Sequence, residues 1–135
     1  MTAELLDRGC RVTAIDRAPL DHRLDGHPGL TFQRADTARW QAPAGSAFDA
    51  MLCDLNGPPQ PAIQQVVRMA PALKPGALVI FTLKLTGADS IAAADALLAD
   101  VIAIASRGGL RWLAQTHLTY NRREFTLFFE HAEPG

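Results

Sequence analysis

Short apolar segments alternate with segments of helical spacing along most of the chain. Strands are predicted where apolar residues alternate with polar ones, or run together between turn residues. These segments are CRVTAID (10–16), LTFQRAD (30–36), FDAMLCD (48–54), LVIFTLK (78–84), LRWLAQTHL (110–118) and EFTLFFE (124–130).

Helices are predicted for the chain start as far as Gly9, for residues 62–73 and for residues 88–109. Asp89 or Ser90 is predicted to cap the last helix. KPGA (74–77) predicts a turn, and residues 17–29 predict a loop with one helical turn. This alternation predicts a single α/β domain, 1–135, with a mostly parallel sheet and helices on both of its faces. The short connection between the last two strands predicts an antiparallel hairpin at one edge.

Charged residues stand where four predicted strands end, namely Asp16, Asp36, Asp54 and Lys84. Carboxyl ends of parallel strands lie at one edge of a sheet, where ligands of such folds bind. The four side chains are therefore expected to converge on one crevice. Each aspartate alone is better explained as a helix cap or turn residue, and the lysine alone could reach solvent from a strand end. The coincidence of four such residues at one edge is what indicates a site.

Composition excludes several classes of function. The chain has 135 residues, 48% of them hydrophobic, and a formal net charge of −1. This charge argues against a basic nucleic-acid grip over the whole surface, although a local patch is compatible with it. Cys10 and Cys53 are isolated, which predicts neither a disulfide framework nor a zinc cluster, and favours reduced thiols in the cytoplasm. No apolar run reaches the ~18 residues of a membrane span.

Five segments, AIDRAPL, RADTARW, MLCDLNGPP, FTLKLTG and NRREFTLFF, resemble FtsJ-like RNA ribose 2'-O-methyltransferases in order and spacing. The resemblance extends to about Glu130 and is nearest to the RrmJ/RlmM-type enzymes that act on large-subunit ribosomal RNA. It implies a Rossmann-like class I methyltransferase fold, with S-adenosylmethionine as cofactor and RNA as substrate.

The same resemblance implies roles for individual residues. Asp54, Lys84 and Glu124 match three members of the family's Lys–Asp–Lys–Glu catalytic tetrad. Asp16 would bind the cofactor's ribose hydroxyls, Asp36 its adenine amino group, and Asp54 would lie near the methyl group. No metal is implied. The sequence leaves the protonation state of Lys84 open, since burial and nearby carboxylates act on it in opposite directions.

Residues near the last predicted turn have two interpretations. Arg122 and Arg123 could bind RNA phosphates or be solvated turn residues. Tyr120 could stack on a base or pack within the turn.

The resemblance begins after the family's first strand, its glycine-rich loop and its first tetrad lysine. The expected fold therefore lacks this first strand, which is central in the family's sheet. One hypothesis is therefore a catalytic domain incomplete at its N-terminus. A second is an inactive or incomplete fragment that needs an upstream segment or a partner. A third is a nucleotide-binding Rossmann protein such as a dehydrogenase. This hypothesis leaves two parts of the quoted segments unexplained, LKL (83–85) and REFT (123–126).

Overall fold

The structure, a computed structural model, describes residues 2–55, 57–85, 90–117 and 124–132. The chain forms two compact units, of which the first ends at Gln41 and the second begins at Ala42. No helix among the described residues is long and apolar enough to cross a membrane.

The first unit contains a helix and a pair of parallel strands. Helix α1 spans Thr2–Asp7, strand β1 spans Val12–Asp16 and strand β2 spans Leu30–Arg34. The two strands are in parallel register along their whole length. Between the two strands in the chain, residues His22–Leu24 form a 3₁₀ helix that Asp21 caps. This confirms the predicted single helical turn.

The second unit contains a four-stranded sheet and two α-helices. Its elements in chain order are β3 (Phe48–Cys53), α2 (Pro59–Met69), a 3₁₀ helix (Ala70–Ala72), β4 (Leu73–Lys84), α3 (Ile91–Arg107), β5 (Leu110–His117) and β6 (Glu124–His131). The strand order is β3-β4-β6-β5. Strands β3 and β4 are parallel, whereas β6 is antiparallel to both β4 and β5. The predicted antiparallel hairpin is thus confirmed.

One face of this sheet forms the core. Along β4, Val79, Phe81 and Leu83 have no exposed surface, and they alternate with partly buried residues. They pack with buried side chains of β6, α2 and α3 in one apolar cluster. Burial of each such side chain contributes roughly 1.5–3 kcal/mol, so this cluster fixes the position of β4 in the sheet.

Helix α3 is defined at both ends as the sequence predicts. The Ser90 hydroxyl accepts a hydrogen bond from the Ala93 N–H, at 3.0 Å, and so caps the first turn. Gly108 follows the last helical residue, and a Cβ at this position would lie 2.3 Å from a methyl carbon of Val67. Only a residue without a side chain allows α2 and α3 to approach this closely.

Three predictions about local structure need correction. KPGA is not a turn between elements, because it lies within β4. Gly76 has a φ of +79° there, and the β3–β4 register shifts between Phe48 and Ala50, so the segment forms an irregularity of the kind that glycine permits. Helix α2 begins at Pro59, earlier than predicted, because proline suits a first helical turn. Strand β2 ends two residues before Asp36, the residue that was predicted to end it.

The described helices of the second unit share one face of its sheet, and the predicted placement of helices on both faces of a sheet that extends through the whole domain stays a prediction. Both described helices of the second unit contribute buried side chains to the same cluster, so they lie on one face of its sheet.

The strands ending at Asp16 and Cys53 belong to separate sheets, with β1 paired to β2 and β3 paired to β4.

Replacing Phe81 by Ala is expected to destabilise the chain by about 3–5 kcal/mol, because the ring is fully buried and its loss leaves a cavity. Leu78→Ala on the same strand is the matched control, since Leu78 is 37% exposed. Urea unfolding of both variants measures the difference. Equal losses of stability would contradict the assignment of the core to the Phe81 face.

Candidate active site

Lys84 is the last residue of β4 and points away from the apolar core. It follows the fully buried Leu83, and successive side chains of a strand lie on opposite faces. Its Nζ atom is 2.9 Å from Oδ1 of Asp54, the residue that follows β3. The lysine side chain is 18% exposed and the aspartate side chain 56%, so the ion pair is partly exposed.

Glu124 lies on the other side of Lys84. The two residues are direct partners in the antiparallel β4–β6 register, and side chains of such partners share a face of the sheet with their Cβ atoms about 4.5–5.5 Å apart. Because β4 lies between β3 and β6, one carboxylate flanks the lysine on each side. The structure therefore brings together Asp54, Lys84 and Glu124, the three residues that the resemblance singles out.

Cys53 precedes Asp54 and points into the core, where it is 8% exposed. Burial, which disfavours the thiolate, raises the pKa of this thiol to about 11. A thiol that stays protonated at neutral pH is a poor nucleophile. Cys53 thus acts as an apolar packing residue beside the candidate site.

The first unit places Asp16 at the end of β1 and Asp36 two residues beyond the end of the adjacent parallel strand β2. Asp16 ends β1, and its backbone carbonyl accepts a hydrogen bond from the Ala35 N–H. Each carboxylate also accepts a hydrogen bond from the backbone N–H two residues further on, Asp16 from Ala18 at 3.0 Å and Asp36 from Ala38 at 2.9 Å. The turn role that the sequence left open is therefore present at both positions.

An arginine that the sequence analysis passed over also contacts Asp36. Arg17 Nη2 lies 2.6 Å from Asp36 Oδ2. The Ala38 N–H, followed by the Arg17 guanidinium, holds the pKa of the Asp36 carboxyl below its usual value. The position of Arg17 in the sequence could have indicated it as a site residue, because it directly follows an aspartate that ends a strand.

The described residues divide the predicted site into two groups, Asp16 with Asp36 in the first unit and Asp54 with Lys84 and Glu124 in the second. Convergence of both groups on one crevice stays a prediction. Tyr120, Arg122 and Arg123 lie outside the described residues.

No protein-family model and no curated protein sequence matches the chain, but solved structures do. A candidate hemolysin of Streptococcus thermophilus has a TM-score of 0.78 at 13% identity, over 98% of this chain and 55% of that protein. The fibrillarin pre-rRNA processing protein of Methanococcus jannaschii has a TM-score of 0.70 at 15% identity, over 90% and 56%. The 1,6-didemethyltoxoflavin N1-methyltransferase of Burkholderia thailandensis, crystallised with S-adenosylhomocysteine, has a TM-score of 0.72 at 12% identity, over 98% and 66%.

The chain has a class I methyltransferase fold. This chain spans 55–66% of the length of the three similar proteins. At these identities the similarity establishes the methyltransferase fold, and the candidate site has to be interpreted from its own residues.

The two cysteines are expected to react with iodoacetamide at very different rates at mildly alkaline pH. Cys10 is exposed and Cys53 is buried. Burial also raises the pKa of Cys53 to about 11, which further reduces its thiolate fraction at this pH. Mass spectrometry of the alkylated peptides measures both rates, and urea should make them similar. Equal rates in the folded protein would contradict the burial of Cys53.

Proposed function

We propose that this protein transfers a methyl group from S-adenosylmethionine to a ribose 2'-hydroxyl of RNA, with large-subunit ribosomal RNA as the favoured substrate. The observation that best supports this proposal is the position of Lys84, between Asp54 and Glu124 at the carboxyl end of β4. Ligands of open α/β folds bind at such strand ends.

In this proposal, the residues of the second unit act on the acceptor hydroxyl. Lys84 would orient the acceptor hydroxyl and, with its amine in the neutral form, would take up the hydroxyl proton during methyl transfer. Asp54 fixes the direction of the amine through the 2.9 Å contact, and Glu124 does so from the neighbouring strand β6. Much of the acceleration comes from holding the hydroxyl in line with the methyl group.

The cofactor is proposed to bind through the carboxylates of the first unit. Asp16 accepts hydrogen bonds from the ribose hydroxyls and Asp36 from the adenine amino group. The acceptors fit, because a carboxylate has about four acceptor positions. The turn bond to Ala18 or Ala38 uses one of them, and at Asp36 the contact with Arg17 uses a second. When bound, the cofactor supplies a methyl group on a positively charged sulfur.

RNA is favoured as the substrate by two observations. The resemblance in the LKL and REFT segments is to RNA methyltransferases, and one of the similar structures is a pre-rRNA processing protein. The net charge of −1 requires that any RNA grip be local. The alternative of an inactive or incomplete methyltransferase-like fragment is decided by the two experiments that follow.

Calorimetric titration is expected to show that S-adenosylmethionine binds the 135-residue chain and that Asp16→Ala weakens binding at least tenfold, because the ribose hydroxyls lose their acceptor. Asp25→Ala, in the same unit but away from the strand ends, is the control and should bind as the wild type does. A folded wild-type chain that does not bind the cofactor would refute the proposed cofactor site.

Lys84→Ala is expected to reduce methyl transfer to ribosomal RNA by about 10²–10⁴-fold, since the proton acceptor is lost, while cofactor affinity is retained. Lys74→Ala is the matched control, because Lys74 lies on the same strand and forms a comparable ion pair with Asp49, at 2.7 Å. Transfer of the labelled methyl group, with nuclease mapping of the modified ribose, measures both. Cofactor binding by the wild type without methyl transfer would favour the inactive or incomplete fragment.

A further inference from the structure

We propose that Arg17 is an affinity- and specificity-determining residue, because its guanidinium occupies the oxygen of Asp36 that the adenine amino group would use. The inference rests on the proposed function, in which Asp36 receives the base of the cofactor. It adds that a donor of the protein itself competes with the base for this carboxylate.

Both oxygens of Asp36 already accept hydrogen bonds from the protein. Oδ1 accepts from the Ala38 N–H at 2.9 Å, and this bond shapes the turn after β2. Oδ2 accepts from Arg17 Nη2 at 2.6 Å. The Ala38 bond belongs to the backbone and stays in place when a ligand binds. Oδ2 therefore carries the donor that can move aside, and Arg17 competes with a ligand for that oxygen.

The position of Arg17 suits a displaceable side chain on a fixed backbone. Arg34 Nε donates to the Arg17 carbonyl oxygen at 2.8 Å, and Arg17 directly follows the last residue of β1. The Arg17 side chain is 75% exposed, so its guanidinium can move into solvent. The backbone therefore keeps the arginine next to Asp36, while the head group can leave.

The competition has a predictable size and salt dependence. A charged donor binds a carboxylate more strongly than the neutral amino group of adenine. Exposed ion pairs change an equilibrium constant by a factor of about 1.4 to 5. Salt screens exposed pairs, so the competition weakens as the ionic strength rises. A 6-oxo base has no amino group to place on Oδ2, and its oxygen can accept from a guanidinium, so it gains nothing from the removal of Arg17.

The experiment titrates S-adenosylhomocysteine and S-inosylhomocysteine, which differ at the 6-position of the base, into the full chain at low and at high salt. Both ligands lack the sulfonium charge, so repulsion between a ligand cation and Arg17 does not contribute. The variants are Arg17→Ala and Arg23→Ala. Arg23 is the matched control, because it forms a similarly exposed ion pair in the same unit, with Asp21 at 2.7 Å.

The expected result is that Arg17→Ala binds S-adenosylhomocysteine about two- to fivefold more tightly at low salt, that the gain shrinks at high salt, and that S-inosylhomocysteine shows no gain. Arg23→Ala should leave both affinities unchanged. Unchanged or weaker binding of S-adenosylhomocysteine by Arg17→Ala would overturn the proposal, as would an equal gain for both ligands. If neither the wild type nor any variant binds either ligand, the proposed function is refuted, and the proposed role of Arg17 is refuted with it.

Discussion

The register of β4 against its two neighbours is the constraint on which the candidate active site depends. The burial of Phe81 and Leu83 places Lys84 on the opposite face of the sheet. A slip of one residue would move the lysine toward the core and expose the phenylalanine. The apolar cluster therefore determines where the amine lies. The partly exposed ion pair with Asp54 adds direction to the amine and little stability.

The same sheet explains why the described helices of the second unit lie on one face. Strands β4 and β5 are each antiparallel to β6, so they are parallel to each other. Both crossovers, β3–α2–β4 and β4–α3–β5, move in the same direction across the sheet order. Right-handed connections in one direction place their helices on the same face. Periodicity identifies a helix but does not reveal this direction, because direction depends on the final strand order.

Sequence reasoning located the parts of the site that depend on local pattern. Apolar runs marked β3 and β4, and Asp54 and Lys84 were recognised because they end those runs. The pairing of Glu124 with Lys84 depends on an antiparallel register across 40 positions, which no local signal specifies, so only the family resemblance pointed to Glu124. KPGA was mistaken for a turn because proline and glycine are local signals, whereas Leu73 pairs with Phe48 through the sheet. Arg17 was missed because its partner, Asp36, is distant in sequence.

Two carboxylates at the ends of parallel strands are held by donors of the protein itself, Asp54 by Lys84 and Asp36 by Arg17. Such contacts reduce the entropy that binding has to remove, but a ligand must then share or replace the donor. Sharing suffices at Asp54, because the amine of Lys84 takes part in the proposed chemistry. At Asp36 the guanidinium has no part in that chemistry, and it is proposed to compete with the ligand. Under the two proposals, similar ion pairs have opposite consequences: that of Lys84 positions a reacting group, and that of Arg17 limits cofactor affinity.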